Sequence, residues 1–238
     1  MVLEILSLSE AEISAFKLSM VVGFWSVFLS LPFGVFFGWL LARYDFTGKS
    51  ILDGLLHLPL VVPPVVTGYL LLIIFGRRSG LLGPWLYDTF GLSFAFNYKG
   101  AALASAVVAF PLMVRAIRLS IESIDLGLEQ AAKTLGASPL RIFFTITIPL
   151  AMPGIISGIV LAFARSLGEF GATVTFVGNT YGQTQTLPLA LSSLLQVPGS
   201  ELAAARLAVI SLIIAFASLI ISEYFARRAK RYKQGGRI

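Results

Sequence analysis

The fold class is decided by one stretch near the start of the chain, Leu18–Ala42, which reads LSMVVGFWSVFLSLPFGVFFGWLLA. It contains no charged residue and is rich in Phe and Trp. A helix crosses the hydrocarbon core of a bilayer with about 20 apolar residues, since each residue rises ~1.5 Å through a core of ~30 Å. This stretch is therefore long enough to span a membrane as a single helix.

The composition agrees with a membrane protein. Of the 238 residues, 57% are hydrophobic and only 13% are charged, whereas about 25% are charged in an ordinary soluble domain. The first residues carry Glu4, Glu10 and Glu12 and lack a basic segment, so we expect no cleavable signal peptide. The absence of cysteine excludes disulfides and thiolate metal sites.

Four further apolar stretches follow, and we predict an all-α membrane protein with five transmembrane helices. Strands are excluded because the stretches lack period-two alternation and an open sheet edge is not tolerated in lipid. The predicted spans are 18–42, 54–76, 100–121, 149–176 and 203–224. They lie in a transmembrane domain at 15–225, preceded by an external segment at 1–14 and followed by a basic cytoplasmic tail at 226–238.

The distribution of Lys and Arg predicts the orientation. With the N-terminus outside, twelve of these residues fall in inside segments and five in outside segments, while Arg165 lies within a span. Because cytoplasmic loops carry the excess of Lys and Arg, we predict N-out and C-in. The basic tail is then the flank of the last span, and we expect no nucleic-acid partner. The outside loop Gly178–Gly199 is predicted to contain a short surface helix at Leu187–Leu195.

The inside loop 122–148 has its own predicted structure. Apolar residues from Leu126 to Leu135 recur at helical spacing, and Gly136 stands where a helix would end in the left-handed conformation. Ser138 and Pro139 then suit the cap and first turn of a new helix. Spacing alone leaves two interpretations open: a docking element for a cytoplasmic partner, or a helix that lies on lipid headgroups.

The same loop resembles the EAA signature of ABC importer permeases. Gln130-Ala131-Ala132, Gly136 and Ile146–Pro149 keep every spacing of that signature, although Gln130 replaces its Glu, Glu129 stands one residue earlier, and Ile148 replaces its Leu. In that family the loop forms a coupling helix that docks in a cleft of the ATP-hydrolysing subunit. The resemblance therefore assigns ATPase coupling to Glu129, Gln130, Ala131, Ala132, Gly136 and Pro149.

The resemblance extends over nearly the whole chain and is closest to permeases of molybdate importers. It is carried by His57–Tyr69, Phe110–Arg118 and Leu161–Ala172, although Gly168–Ala172 is similar in tungstate and sulfate permeases. It implies a type I importer fold, a homodimer, two ATP-binding subunits on the cytoplasmic side, an external substrate-binding protein and the inner membrane of a prokaryote. It favours molybdate as substrate, with tungstate or sulfate as alternatives, and implies no cofactor and no metal site.

Charged and helix-breaking residues within the spans are the candidates for a translocation pathway. Arg165 and Glu169 are four residues apart and can pair on one helix face. Prolines interrupt the second span, which is tolerated only against protein or water. The candidates are Pro63, Pro64, Thr67, Arg165, Glu169 and Thr173. A structural ion pair and a packed kink remain the alternative interpretations.

No catalytic activity is expected of this chain. The chain has few side chains suited to catalysis, since it contains one His, no Cys and no clustered carboxylates in the spans. Gly48-Lys49-Ser50 imitates the end of a phosphate-binding loop, but Arg43 occupies the position of its first Gly. Energy would therefore come from a partner. The remaining alternative is a stand-alone secondary transporter, for which internal repeats or acidic relay residues are expected and not evident.

Overall fold

A computed structural model describes the backbone of residues 9–234 and the side chains of residues 9–221, 223 and 224. Every regular element within this part of the chain is helical. The helices are α1 Glu10–Arg43, α2 Lys49–Val61, α3 Pro64–Phe75, α4 Gly83–Phe90, α5 Tyr98–Glu122, α6 Leu126–Thr134, α7 Pro139–Ile142, a π-helical turn Phe143–Thr147, α8 Ile148–Leu167, α9 Gly171–Val177, α10 Leu187–Leu194 and α11 Glu201–Gln234. The all-α prediction is confirmed for these residues.

Within residues 9–234, four helices are long and apolar enough to cross a membrane: Glu10–Arg43, Tyr98–Glu122, Pro139–Leu167 and Glu201–Ile221. A fifth candidate is the pair α2 and α3, which passes the same test jointly but is bent by 114°. This described part of the chain thus has four to five candidate spans. The start of the predicted external segment, 1–8, and the last four residues of the predicted tail lie outside the described residues.

Helix α5 occupies the centre of the fold and packs against α1 and α8. Small residues permit this close packing: a Cβ added at Gly38 in α1 would lie 2.9 Å from Cγ2 of Ile117 in α5. Met113 and Ile117 of α5 are fully buried in the resulting core. Close approach through small residues is the usual basis of helix association in membranes, where lipid removes the hydrophobic driving force between helices.

The helix predicted at Leu187–Leu195 is present as α10, but it is not a surface helix. Leu187 and Leu189 are buried, and α10 packs against both α1 and α11. The backbone N–H of Leu187 donates to Oγ of Ser19 in α1 at 2.7 Å. The pattern predicted the helix correctly, whereas its burial depends on a partner 168 residues away in sequence.

Two predicted spans are interrupted. The helix predicted over 149–176 ends at Leu167 and resumes at Gly171 as α9. In the second span the break falls at Val62–Pro63, while Pro59 lies inside α2. A proline at the end of an apolar helix removes a backbone donor and favours extended backbone before it, which accounts for the position of the second break.

Helix α4 was not predicted. It begins with Gly83-Pro84 and is followed by Gly91, which has the left-handed φ of +65°. Pro in the first turn and Gly just past the end are the ordinary boundary signals of a helix and could have identified it. Its side chains Trp85 and Phe90 are exposed.

Candidate functional site

Helix α6 has well-formed ends. The Asp125 carboxylate accepts the backbone N–H of Gly127 at 2.8 Å and caps the first turn. At the other end the N–H of Ala137 donates to Ala132 O and the N–H of Gly136 to Lys133 O, both at 3.0 Å. These two bonds form a Schellman motif around Gly136, whose φ is +84°. The predicted helix and its glycine terminator are confirmed.

The outer face of α6 is available to a partner. Gln130, Ala131 and Gly136 are exposed, whereas Ala132 is half-buried. Leu128 is also exposed, and Leu135 reaches 88% exposure at the end of the helix. Exposed apolar side chains beside small residues can enter a groove on another protein with little steric hindrance. Four of the predicted coupling residues therefore lie together.

Glu129 differs from its neighbour Gln130 because it points into the protein. Its Oε1 accepts from Arg43 Nη2 at 2.9 Å and from Thr147 Oγ1 at 2.9 Å. These side chains border a groove of about 310 Å³ between α6 and the end of α1, together with Trp39. The predicted coupling residue Glu129 thus belongs to the support of α6, not to its exposed face.

The last predicted coupling residue, Pro149, is separated from the others by the π turn. It lies in the first turn of α8 and is exposed. The π turn itself closes with the N–H of Ile148 donating to Phe143 O. Such turns are rare insertions in α-helices that occur frequently at functional sites.

The predicted pair Arg165–Glu169 is present at the break between α8 and α9. Arg165 Nη1 lies 2.9 Å from Glu169 Oε2, and Glu169 Oε1 accepts the backbone N–H of Ala172 at 2.9 Å. The Glu169 side chain is 2% exposed, while that of Arg165 is 32% exposed. The carboxylate therefore caps α9 and is compensated by Arg165, as a buried charge requires.

The predicted pathway residues of the second span lie beside the break between α8 and α9. A Cβ added at Gly68 would lie 2.5 Å from Ala172 O, so α3 and α9 are in backbone contact. Thr67 and Thr173 are both buried at this junction. The Oγ1 of Thr173 has no hydrogen-bond partner among the described residues. Pro63 and Pro64 are exposed at the bend before α3.

A charged cluster between α2 and α5 was not predicted. Arg118 Nη1 lies 3.0 Å from Asp53 Oδ2, and Arg118 Nε lies 2.7 Å from Glu122 Oε1. His57 Nδ1 lies 2.8 Å from the Asp53 carbonyl oxygen on the same helix. Sequence could supply the spacing of Arg118 and Glu122, whereas the pairing with Asp53 spans 65 residues. Among the described residues, no group of three or more His, Cys, Asp or Glu could hold a metal ion.

Comparison with protein families identifies the architecture. Residues 31–231 match the family of binding-protein-dependent transport system inner membrane components. The chain belongs to this family. It is accordingly an inner membrane component of a binding-protein-dependent transport system, and not an enzyme. The resemblance inferred from the loop 122–148 is thereby confirmed.

Individual relatives carry the comparison further. The chain is 60% identical to the molybdenum transport system permease protein ModB of Escherichia coli, over 92% of this chain and 96% of the relative. It is 32% identical to the sulfate transport system permease protein CysW of Synechocystis, over 92% of this chain and 79% of the relative.

A solved structure supports the fold. A bacterial alginate ABC transporter, in complex with a periplasmic protein that carries an alginate pentasaccharide, matches with a TM-score of 0.70 and 18% identity. The match covers 94% of this chain and 80% of that chain. At this sequence identity, the match is evidence for the fold alone.

Proposed function

We propose that this protein is the membrane-spanning permease subunit of an ATP-driven molybdate importer. The main support for molybdate as the substrate is the 60% identity to a molybdenum permease over 92% of the chain, compared with 32% identity to a sulfate permease over the same share. An external binding protein delivers the oxyanion, and a separate ATPase on the cytoplasmic side supplies the energy. The alternative substrates of the same class are tungstate and sulfate.

The proposed arrangement has five spans with the N-terminus outside and the C-terminus inside. Two ion pairs at opposite ends of α1 support it: Glu12 pairs with Arg206 at the start of α11, and Arg43 pairs with Glu129 in the loop 122–148. The loop therefore shares one end of the molecule with the segment after Arg43, as the charge distribution requires. The bent pair α2–α3 counts as the second span.

For this topology, a reporter enzyme that is active only in the cytoplasm is fused after Ile238. We expect activity in intact cells, because the C-terminus lies inside. Fusion of a reporter that is active only outside should give no signal. The opposite result would refute five spans with the N-terminus outside.

We propose that the exposed face of α6 is the docking surface for the ATPase. Its exposed Gln130, Ala131 and Gly136 combine small and neutral groups with the apolar Leu135. A helix that lies on lipid headgroups would instead carry Lys or Arg along its polar face. In α6 the only basic residue is Lys133, in the last turn, so a protein groove is the better fit.

The proposed pathway runs past the junction of α3 and α9 between two copies of the chain. The Arg165 side chain is 32% exposed while its partner Glu169 is buried, so the accessible member of the pair is the positive one and attracts an oxyanion. Thr67 and Thr173 are buried in this state, which means that they would contact substrate only after α3 and α9 separate. Neutral hydroxyl contacts suit transit, because tight binding slows release.

The substrate proposal is tested by reconstituting the permease with its ATPase in proteoliposomes. ATP hydrolysis and uptake are measured with the external receptor loaded with molybdate, tungstate or sulfate. We expect the molybdate-loaded receptor to stimulate hydrolysis and to deliver molybdate to the lumen. Stimulation by sulfate but not by molybdate would overturn the substrate assignment while leaving the transport class intact.

A further inference from the structure

One carboxylate joins three separate segments at the cytoplasmic end of the molecule. Glu129 Oε1 in α6 accepts from Arg43 Nε at 3.2 Å and from Arg43 Nη2 at 2.9 Å. The same oxygen accepts from Thr147 Oγ1 at 2.9 Å. Arg43 is the last residue of α1, and Thr147 ends the π turn that leads into α8. Helix α6 is therefore tied to two candidate spans through one side chain.

The partial burial of this group distinguishes it from an exposed ion pair. The side chains of Arg43 and Glu129 are 10% and 17% exposed, and Thr147 is buried. Arg43 Nη2 also donates to Ile124 O at 3.4 Å, which fixes the entry into α6. Charge-assisted hydrogen bonds that are shielded from water are the stronger class. An exposed pair, by contrast, contributes little.

Few other contacts couple α6 to the body of the protein. No residue of α6 is buried, and the exposed Gln130, Ala131 and Leu135 look outward. Helix α6 packs only lightly on α7 and on the π turn. Apart from its covalent connections to α5 and α7, α6 is consequently coupled to the body of the protein more through the hydrogen bonds of Glu129 than through apolar packing.

We propose that Glu129, Arg43 and Thr147 form a latch that transmits displacement of α6 to α1 and α8. Glu129 is a positioning residue: it makes no contact with the ATPase and carries the motion that docking imposes. The neighbouring Gln130 is the residue that faces the partner. This inference rests on the proposed docking function, because it presumes that an ATPase moves α6.

The π turn fits this role. It adds one residue to the turn, which rotates the following helix by roughly 100° relative to a regular α-helix. Thr147 is the last residue of that turn, and its hydroxyl donates to Glu129 Oε1. Displacement of α6 thus acts on the π turn, the least regular point of the helix that leads into α8. A rotation of α8 would in turn move the Arg165–Glu169 pair at the other end of α8.

The test uses the full complex in nanodiscs with the molybdate-loaded receptor. The variants are Glu129→Gln, Arg43→Gln, both together, and Thr147→Val. Lys49→Gln is the matched control, because Lys49 pairs with the Asp45 carboxylate at 2.7 Å in the adjoining turn but that carboxylate is 98% exposed. Three quantities are measured: the ATPase retained on purification, the basal ATPase rate, and its stimulation by the receptor.

We expect each single latch variant to retain the ATPase and its basal rate, while receptor stimulation falls about tenfold, the scale of one charge-assisted hydrogen bond. The Arg43→Gln/Glu129→Gln double variant should be no worse than either single one, because both break the same interaction. Thr147→Val should give a smaller loss, and Lys49→Gln none.

Unchanged stimulation in Glu129→Gln would overturn the latch, as would losses that multiply in the double variant. A parallel loss of retained ATPase, basal rate and stimulation would also overturn it, since that result means that Glu129 merely supports the fold. If the wild-type permease binds no ATPase, or no oxyanion-loaded receptor stimulates it, the proposed function fails instead.

Discussion

Substitution of Gly136 tests whether the shape of the α6 terminus matters for coupling. Its φ of +84° lies in the left-handed region, and a Cβ added there would meet nothing within 4 Å. The effect of Gly136→Ala is therefore conformational strain without a clash inside the protein. Gly136→Asn is the matched variant, because Asn tolerates the left-handed conformation better than Ala.

The magnitude follows from two opposing terms. The left-handed conformation costs Ala about 1–2 kcal/mol. The smaller entropy of the unfolded Ala chain offsets about 0.4–1 kcal/mol of that cost. The net loss of about 1 kcal/mol corresponds to roughly fivefold more opening of the terminus. In Gly136→Glu, repulsion from the negative end of the α6 dipole adds about 0.3–1 kcal/mol.

Hydrogen exchange of the permease in nanodiscs measures this opening directly. The reporting amides are those of Gly136 and Ala137, which close the Schellman motif. We expect roughly fivefold faster exchange in Gly136→Ala and near wild-type exchange in Gly136→Asn. Uptake should fall in the same order, and Gly136→Glu should stop uptake while the protein still inserts into the membrane.

Gly199→Ala provides the positional control. Gly199 has a φ of +86° and no atom within 4 Å of an added Cβ, but it lies in the loop before α11, at the other end of the molecule. The same strain there should leave coupling unchanged. Equal uptake in Gly136→Glu and wild type would remove the docking claim. Equal exchange in the Ala and Asn variants would refute the conformational argument.

Two further predictions concern the junction of α3, α8 and α9. Gly68→Ala should lower the stability of the detergent-solubilised protein by about 1–3 kcal/mol, because the added Cβ would lie 2.5 Å from Ala172 O. Gly54→Ala is the control: no atom lies within 4 Å of a Cβ added there, so this variant should not destabilise the protein. Arg165→Met should cost about 3–5 kcal/mol, since it leaves the buried Glu169 carboxylate without its cation. The Arg165→Met/Glu169→Gln double variant should recover most of that loss. Thermal unfolding measures both series. A double variant as unstable as the Arg165→Met single variant would contradict the pairing.

Part of the site could be predicted because its signals are local. The helix Leu126–Thr134 follows from apolar spacing, and its end at Gly136 follows from the residue that best tolerates a positive φ. The pairing of Arg165 with Glu169 follows from their separation by one helical turn. Each prediction depends on residues within a few positions of one another, where the backbone geometry of a helix already determines the neighbours.

Other features depend on contacts that no local rule supplies. The sequence places Glu129 and Gln130 side by side, but hydrogen bonds from Arg43, 86 residues earlier, and from Thr147 hold Glu129 inward. The burial of α10 likewise depends on Ser19. In each case the competing local states differ little in energy, so a distant hydrogen bond selects between them.

Contiguous residues are sufficient to predict a helical membrane protein with a structured loop at 122–148, because apolar length and the turn at Gly136 are local properties of the sequence. Tertiary contacts, in contrast, determine that Gln130 faces outward and that Glu129 is held inside. The physical reason is that a carboxylate is stable away from water only where donors converge on it. Those donors are Arg43, which precedes the loop in the chain, and Thr147, which lies at the end of the loop.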